Sequence, residues 1–164
     1  MVFSFRPQYA FKVFADISPE FLKGLGVKFL MLDLDNTIAS YNEHTPSEAC
    51  LRWVADMKEN DIELFFVSNS RRKTRVDEFA DALGIGFLKR AHKPSPSALL
   101  QAVESKGFRA DESALVGDQI FTDILAANRA GVVSIITKPL LFSNPFLALR
   151  YLAELPFRAN THHP

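Results

Sequence analysis

The chain has 164 residues, a length that fits one domain with a substantial core. Lys plus Arg and Asp plus Glu number 19 each, so the basic excess of a general nucleic-acid binder is missing. The single cysteine, Cys50, excludes an internal disulfide and a thiolate metal cluster. No apolar run approaches the ~20 residues of a membrane span, and no signal-peptide pattern opens the chain. We expect a cytoplasmic protein, with peripheral membrane contact as an open alternative.

Apolar, strand-like runs alternate with amphipathic helical stretches along most of the chain. The pattern predicts strands at 27–32, 62–67, 85–88, 114–116 and 132–136, and helices at 47–60, 76–83, 94–107 and 122–130. Such alternation is typical of an α/β fold, in which a doubly wound parallel β-sheet carries helices on both faces. We predict a single Rossmann-like domain over 1–164. Its core lies at about 27–137, and segments 1–26 and 138–164 pack on that core, at an interface or on a membrane surface.

The first predicted strand runs directly into two carboxylates. Four apolar residues at 29–32 are typical of a buried strand, and Asp33 and Asp35 follow them. Two residues apart at a strand end, these side chains lean to the same side and repel each other in low dielectric. The pair therefore indicates a nucleophile or an acid/base pair built around a metal.

Further reactive side chains follow the other strands. Ser68 and Asn69 come after the second predicted strand, Lys93 lies in the loop after the third, and Asp118 follows the fourth. Because the carboxyl ends of parallel strands meet at one edge of the sheet, we expect these residues to gather there with the first two carboxylates. Carboxylates, a hydroxyl and an ammonium together suit metal-assisted phosphoryl transfer.

These residues fall in four short motifs, which resemble those of the haloacid dehalogenase (HAD) superfamily of phosphatases. The motifs are Asp33-Leu34-Asp35-Asn36-Thr37, Ser68-Asn69, Lys93-Pro94 and Gly117-Asp118-Gln119-Ile120-Phe121-Thr122-Asp123. The resemblance covers roughly 17–137. It is closest to the YqeG-type branch of subfamily IIIA, which includes mitochondrial phosphatidylglycerophosphate phosphatases. Four motifs in register are a specific signal, whereas any one alone is modest.

The resemblance implies roles for the acidic residues. Asp33 would attack phosphorus and carry an aspartyl-phosphate intermediate. Asp35 would protonate the leaving oxygen and then activate water, and its main-chain carbonyl would face the metal. Asp33 and Asp118 would hold Mg²⁺ together with waters, and Asp123 would be a ligand or stand just behind the ligands.

Ser68, Asn69 and Lys93 are the residues that the resemblance assigns to the substrate phosphoryl group, and Lys93 would also offset the carboxylate charge. Plainer interpretations exist for single residues. Ser68 could be a turn residue, and Lys93 a surface lysine. Asp123 could be an acid favoured near a helix N-terminus.

The intervals between the motifs are too short for the cap domain that many HAD phosphatases carry. Only 38–46 separates the first motif from its helix, and 70–92 holds one helix and one strand. We therefore predict a capless core with an open site, suited to large substrates or to a lid from another subunit. His44 in the first interval is either a substrate contact or simply exposed.

A basic run and two aromatic ends leave alternatives open. Arg71 and Arg72, followed by Lys73 and Arg75, are either a solvated charge run or a cradle for a second anionic group. The ends mix aromatic and basic residues. They suit packing on the sheet, a dimer contact in a homo-oligomer, or a membrane interface.

The motifs and the resemblance thus predict a Mg²⁺-dependent phosphoric monoester hydrolase that acts through Asp33. The resemblance, together with the aromatic and basic ends, implies phosphatidylglycerophosphate as the leading substrate. The partner would be a phospholipid headgroup or a phosphorylated small molecule, and no nucleic acid. A soluble phosphorylated metabolite is the rival substrate. Rivals of another class are a receiver-like phospho-acceptor and a non-catalytic binding module. A receiver gains nothing from Asp35 as acid and base, so the Asp33/Asp35 pair favours turnover.

Overall fold

A computed structural model describes residues 4–70, 74–142, 145–158 and 161 of the chain. One sheet contains β1 (Tyr9–Ala10), β2 (Phe29–Leu32), β3 (Glu63–Ser68), β4 (Gly86–Lys89), β5 (Ser113–Gly117) and β6 (Val133–Ile136). The α-helices are α1 (Pro19–Gly24), α2 (Glu48–Glu59), α3 (Arg75–Leu83), α4 (Ser97–Ser105), α5 (Leu125–Ala130) and α6 (Pro145–Arg158).

The sheet is parallel throughout, in the order β1-β6-β5-β2-β3-β4. The last residue of β2, Leu32, pairs with Phe66 of β3 on one side and with Val116 of β5 on the other. This confirms the predicted doubly wound, Rossmann-like α/β fold. The chain order reverses at β2 and β5, so the crevice in which such sheets bind ligands lies at the carboxyl ends of these two strands.

Helices cover both faces of the central strands. Leu30 and Leu32 of β2 belong to the core cluster that includes side chains of α1, α2 and α3, whereas Phe29 and Met31 belong to the cluster with α4 and α5. Because neither face meets water, all four β2 residues are buried. This burial explains why the strand is a continuous apolar run in the sequence.

The N-terminal segment adds a strand that the sequence pattern did not predict. β1 pairs with β6 and extends the sheet by one strand. The backbone N–H of Gln8 donates to the Ser134 carbonyl (3.0 Å), and that of Phe11 donates to the Ile136 carbonyl (2.9 Å). In return the Ser134 N–H donates to Gln8 Oε1 (2.8 Å). A strand of two residues is too short to show an alternating pattern.

The helix predicted at 122–130 begins differently. A π-helical turn at Ile120–Ile124 precedes α5, and both connect β5 to β6. The Gln119 N–H donates to Asp123 Oδ2 (3.1 Å), which fixes this carboxylate at the start of the turn. Short π-helical turns are frequent at functional sites.

The intervals 38–46 and, as far as the structure describes it, 69–74 contain neither a helix nor a strand of the sheet, and α3 and β4 fill most of 75–92. The described core is therefore capless, as predicted. Within the described ranges, none of the helices combines the length and apolar character needed to cross a membrane.

Candidate active site

Asp33 and Lys93 form a buried ion pair at the carboxyl end of β2. Lys93 Nζ donates to Asp33 Oδ1 at 2.7 Å and to the Val67 carbonyl at 2.8 Å, and it pairs with Asp123 Oδ1 at 2.7 Å. An ammonium has three N–H donors, so all of them are used. The side chain of Lys93 is only 1% exposed, which makes the surface-lysine interpretation wrong.

Three carboxylates converge beside this lysine. One oxygen each from Asp33, Asp118 and Asp123 lies within 4.8 Å of the others, and all three residues are buried. Asp118 Oδ2 is buried and has no hydrogen-bond partner among the described residues. The Thr37 hydroxyl lies between two of these carboxylates, with Oγ1 3.5 Å from Asp33 Oδ2 and 3.4 Å from Asp118 Oδ1.

The charges of this group fit a divalent cation. Three carboxylates face one ammonium, so the fully ionised group carries excess negative charge in a medium of low dielectric. The unpartnered oxygen of Asp118 supplies a ligand atom of the kind that Mg²⁺ prefers. Of the four predicted metal residues, the structure brings the carboxylates of Asp33, Asp118 and Asp123 together, and the carboxylate of Asp35 is not in this group.

Burial shifts the protonation of the group. Desolvation raises the pKa of Asp33 to about 7; the ammonium of Lys93 opposes this shift, and the carboxylate of Asp123 adds to it. Burial and the same carboxylate raise the pKa of Asp118 well above its usual value. Desolvation lowers the pKa of Lys93, but Asp123 and Asp33 outweigh it, so the net pKa is raised and the lysine stays charged.

The carboxylate of Asp35 is held by Arg75, the first residue of α3. Arg75 Nε donates to Asp35 Oδ1 at 2.8 Å, and its Nη atoms donate to the main-chain carbonyls of Ser40 (2.6 Å) and Glu43. Arg75 is buried, and its guanidinium lies over the ring of Phe79. Arg75 is therefore neither part of a solvated charge run nor part of an anion cradle, which corrects both interpretations for this residue.

Ser68 and Asn69 support the loop that carries Lys93. The Asn69 side chain donates to the Lys93 carbonyl (3.0 Å) and accepts from its N–H (2.9 Å). The Ser68 hydroxyl accepts from the Ser70 N–H at 3.0 Å, as a turn residue does, which leaves its own proton to donate. Both residues also line the cleft above the carboxylates.

This cleft has a volume of about 460 Å³ and is lined by Asp33, Asp35, Tyr41, Ser68, Asn69, Ser70 and Gln119. Sequence reasoning missed Tyr41 and Gln119, because neither residue type signals a site by itself. Burial, and then the charges of Asp118 and Asp35, raise the pKa of Tyr41 to about 12, so its hydroxyl stays protonated.

A second cleft adjoins the first and shares Asn69 with it. Arg90, His92 and Lys93 also line this cleft. Arg90 and His92 are exposed and have positive φ angles of 54° and 51°. Such backbone is uncommon for these residue types and is often found at functional sites.

The predicted cradle residues Arg71 and Arg72 lie outside the described residues, and His44 is exposed.

Helix α6 supports the site from behind. Arg158 donates to the main-chain carbonyls of Asp118 and Thr137, the latter at 3.0 Å, and pairs with Glu154 at 2.9 Å. Glu154 Oε1 accepts from the Ile120 N–H at 3.0 Å, at the start of the π-helical turn. The C-terminal helix thus fixes the backbone on both sides of Gln119.

The segment before α6 is joined to the first motif. The Asn36 side chain donates to the Leu141 carbonyl (2.7 Å) and accepts from the Leu141 N–H (2.9 Å). The Leu140 N–H donates to the Asn36 carbonyl at 3.0 Å. Asn36 adopts a positive φ of 69°, which places its peptide against this segment.

A parallel Rossmann-like sheet with a buried Asp–Lys pair and three converging carboxylates is the arrangement of a phosphoryl-transfer protein. A family model described as haloacid dehalogenase-like hydrolase matches residues 11–131. The chain belongs to this family.

Similar proteins agree with this assignment. "Probable phosphatase YqeG" of Bacillus subtilis is 34% identical over 143 residues, which cover 87% of this chain and 83% of that protein. The Arabidopsis thaliana "Phosphatidylglycerophosphate phosphatase 1, chloroplastic/mitochondrial" is 32% identical over 146 residues, which cover 82% of this chain but only 41% of that protein.

A solved structure shares the fold. The 3-deoxy-D-manno-octulosonate 8-phosphate phosphatase of Moraxella catarrhalis, solved with magnesium, phosphate and the sugar acid, aligns with a TM-score of 0.52 and 18% identity. The alignment covers 85% of this chain and 95% of that one. Family and relatives together confirm the predicted resemblance and the enzyme class, a HAD-type phosphoric monoester hydrolase.

Proposed function

We propose that this protein hydrolyses a phosphate monoester through an aspartyl-phosphate on Asp33, with Mg²⁺ as cofactor. The observation that carries the proposal is the buried Asp33, paired with Lys93 at 2.7 Å and grouped with Asp118 and Asp123. Asp33, Asp118 and the main-chain carbonyl of Asp35 would hold the ion, with Asp123 beside them. When bound, the ion would neutralise charge on the phosphoryl oxygens and on the carboxylates.

In the first step, a carboxylate oxygen of Asp33 bonds to phosphorus while the bond between phosphorus and the ester oxygen breaks. The leaving oxygen takes the proton of Asp35 and departs as an alcohol. Lys93 holds Asp33 in place and offsets its charge. The Ser68 hydroxyl lines the cleft and would donate to a phosphoryl oxygen, with Asn69 beside it.

In the second step, Asp35 accepts a proton from water as the water oxygen bonds to phosphorus. The acyl-phosphate bond breaks, inorganic phosphate leaves, and Asp33 returns as a carboxylate. Asp35 regains the proton it gave up, so the cycle balances. Arg75 keeps the Asp35 carboxylate in one orientation throughout both steps.

We propose phosphatidylglycerophosphate as the substrate and peripheral contact with a membrane as the setting. The similarity to the Arabidopsis phosphatidylglycerophosphate phosphatase supports this choice, as does an open, capless cleft that admits a bulky headgroup. A soluble phosphorylated metabolite is the rival substrate, which the polar lining of the cleft favours.

The test is phosphate release from a panel of phosphate esters that includes phosphatidylglycerophosphate in mixed micelles, sugar phosphates and p-nitrophenyl phosphate, with Mg²⁺ or with EDTA. We expect Mg²⁺-dependent turnover, and a loss of about 10⁴-fold or more in kcat for Asp33→Asn. Asp81→Asn, an exposed acid on α3, is the matched control. Undiminished activity of Asp33→Asn would remove Asp33 as nucleophile. A phosphorylated protein that persists without releasing phosphate would favour the receiver-like alternative.

A further inference from the structure

Helix α6 turns its charged residues toward the protein and its apolar residues toward solvent, the opposite of an ordinary surface helix. Its charged residues point into the protein: Glu154 is 1% exposed, and Arg150 and Arg158 lie within 4.0 and 2.9 Å of it. Its seven exposed positions are all apolar: Pro145, Phe146, Leu149, Leu152, Ala153, Leu155 and Pro156. A helix that meets water on its far side would carry polar residues there.

The exposed apolar side chains of the described protein are concentrated around this helix. Ten large hydrophobic residues are exposed, and seven of them lie within 140–155. Leu140, Leu141 and Phe142 precede α6, and Phe146, Leu149, Leu152 and Leu155 lie on it, with Phe146 71% exposed. We call these seven residues the α6 face. Such a concentration of exposed apolar side chains in one segment is typical of an interaction site.

The charge of the same segment selects the partner. Residues 138–158 contain three basic side chains and one acidic side chain, although the whole chain is neutral. Arg150 and Arg158 face the acid inside the protein, so Lys138 is the base that this segment presents to solvent. The acid is the buried Glu154, whereas Lys138 is exposed and its N–H donates to the carbonyl of Lys12, another exposed lysine. A second copy of this face would bring like charges together, but an anionic lipid surface would attract them.

We propose that the α6 face lies in the headgroup region of an anionic membrane, with its apolar side chains in the acyl boundary and Lys138 and Lys12 near the lipid phosphates. Aromatic and aliphatic side chains with basic residues beside them have the character of an interfacial helix. The face adjoins the catalytic cleft, because Asn36 bonds to Leu141 and Arg158 bonds to the Asp118 carbonyl. The orientation of the cleft toward lipid phosphate rests on the proposed function, whereas the docking itself does not.

Vesicle co-sedimentation tests the docking. The wild-type protein should sediment with phosphatidylglycerol-containing vesicles, less with pure phosphatidylcholine, and less again at high salt. The triple variant Phe146→Ser, Leu149→Ser, Leu152→Ser should lower the partition coefficient by about 100-fold. The matched control is Leu51→Ser, Phe87→Ser, Leu100→Ser, which removes the other three exposed hydrophobic residues and should bind like the wild type.

Several results would overturn the proposal. The first is a wild-type protein that stays in the supernatant with every kind of vesicle. The second is a loss of vesicle binding in the control triple variant equal to that in the α6 variant. The third is a wild-type protein that binds no vesicles but forms a concentration-dependent dimer, which the α6 variant abolishes. Should the α6 variant misfold by circular dichroism, Lys12→Glu with Lys138→Glu replaces it, and unchanged binding to anionic vesicles would then contradict the proposal.

Measurements of phosphate release distinguish failure of the membrane docking from failure of the proposed function. The α6 triple variant should keep the wild-type kcat on p-nitrophenyl phosphate, since none of the three replaced residues lines the cleft. A protein that binds vesicles but releases phosphate from no ester would refute the proposed function and leave the docking intact. A protein that hydrolyses soluble esters but ignores vesicles would refute the docking and the proposed membrane setting, and would leave the proposed phosphatase chemistry intact.

Discussion

Arg75 joins two parts of the site that are distant in sequence. Its guanidinium binds the Asp35 carboxylate and the carbonyls of Ser40 and Glu43, so it ties Asp35, the proposed acid and base, to the loop that carries Tyr41. A planar guanidinium can serve three acceptors at once, which a lysine cannot do in the same geometry. The placement of Asp35 relative to the cleft therefore depends on a residue that does not line it.

Replacing Arg75 should impair catalysis by misplacing Asp35. We expect Arg75→Met to lower kcat by about 10²-fold with a smaller change in KM, and Arg75→Lys to lie between Met and wild type. Steady-state kinetics on p-nitrophenyl phosphate measures both. Arg109→Met is the control, because Arg109 is exposed and pairs with Asp111, two residues further along the chain. Equal kcat values for Arg75→Met and wild type would contradict a positioning role.

Arg90 is the described cation best placed to contact a second anionic group of a substrate. Arg90 is exposed and lines the second cleft, which adjoins the catalytic cleft and is also lined by Lys93. Arg90→Ala should raise KM about tenfold for a substrate with a second phosphate, leaving kcat and the KM for a simple monoester unchanged. Arg52→Ala on α2 is the control. A uniform change in KM for both kinds of substrate would show that Arg90 does not discriminate between them.

At the scale of elements, the close approach of β5 to the π-helical turn fixes Asp123. Gly117 ends β5, and a Cβ atom at this position would overlap the Asp123 side chain. Only glycine therefore lets the strand end lie against the carboxylate that pairs with Lys93. The motif's glycine thus has a packing reason, independent of any ligand.

Gly117→Ala should force Asp123 out of place. We expect a loss of about 1–3 kcal/mol in the free energy of unfolding, together with reduced activity, because overpacking displaces an ion-paired side chain. Gly24→Ala in α1 is the matched control, since an added Cβ there would meet no described atom within 4 Å beyond its chain neighbours and its own helix backbone. It should be neutral or stabilising by about 0.5–1 kcal/mol. Urea unfolding followed by circular dichroism measures both, and similar values for the two variants would refute the packing argument.

For the whole molecule, the buried carboxylates link stability to pH and metal. The pKa of Asp33 is about 7 in the folded protein against 3.8 for an unperturbed Asp, so the folded state binds this proton more tightly than the unfolded state. The stabilisation is fully present below the unfolded pKa and is lost as pH rises through about 7. A divalent cation should restore it where the carboxylates are charged.

Thermal melts should show this linkage. With EDTA, Tm should fall between pH about 5 and about 8, and added Mg²⁺ should raise Tm more at the higher pH. Asp118→Asn should shrink the Mg²⁺-induced gain, since it removes a proposed ligand. It should itself stabilise the metal-free protein, because it removes a buried negative charge whose Oδ2 has no partner among the described residues. A gain in Tm that is equal at both pH values would contradict the linkage.

The sequence predicted the fold and the grouping of the site well, because both follow from strand periodicity and parallel topology. Asp33, Ser68 and Asp118 each follow an apolar run, so their convergence could be inferred. Arg75 could not be placed, since a basic residue among other basic residues signals a solvated face until its partner Asp35 is seen. The strand within residues 8–11 was not predicted for another reason. It is defined by hydrogen bonds to residues more than a hundred positions away, which a local sequence pattern does not show.

The distance in sequence between β1 and β6 has a consequence for folding. β6 lies at the edge of the sheet until residues 8–11 cover it, and an uncovered edge strand is a template for pairing between molecules. The covering strand is synthesised first but can dock only after residue 136 has formed its part of the sheet, and such long-range contacts form slowly. Any partly folded molecule whose N-terminal segment is still undocked thus exposes the edge at which aggregation would begin.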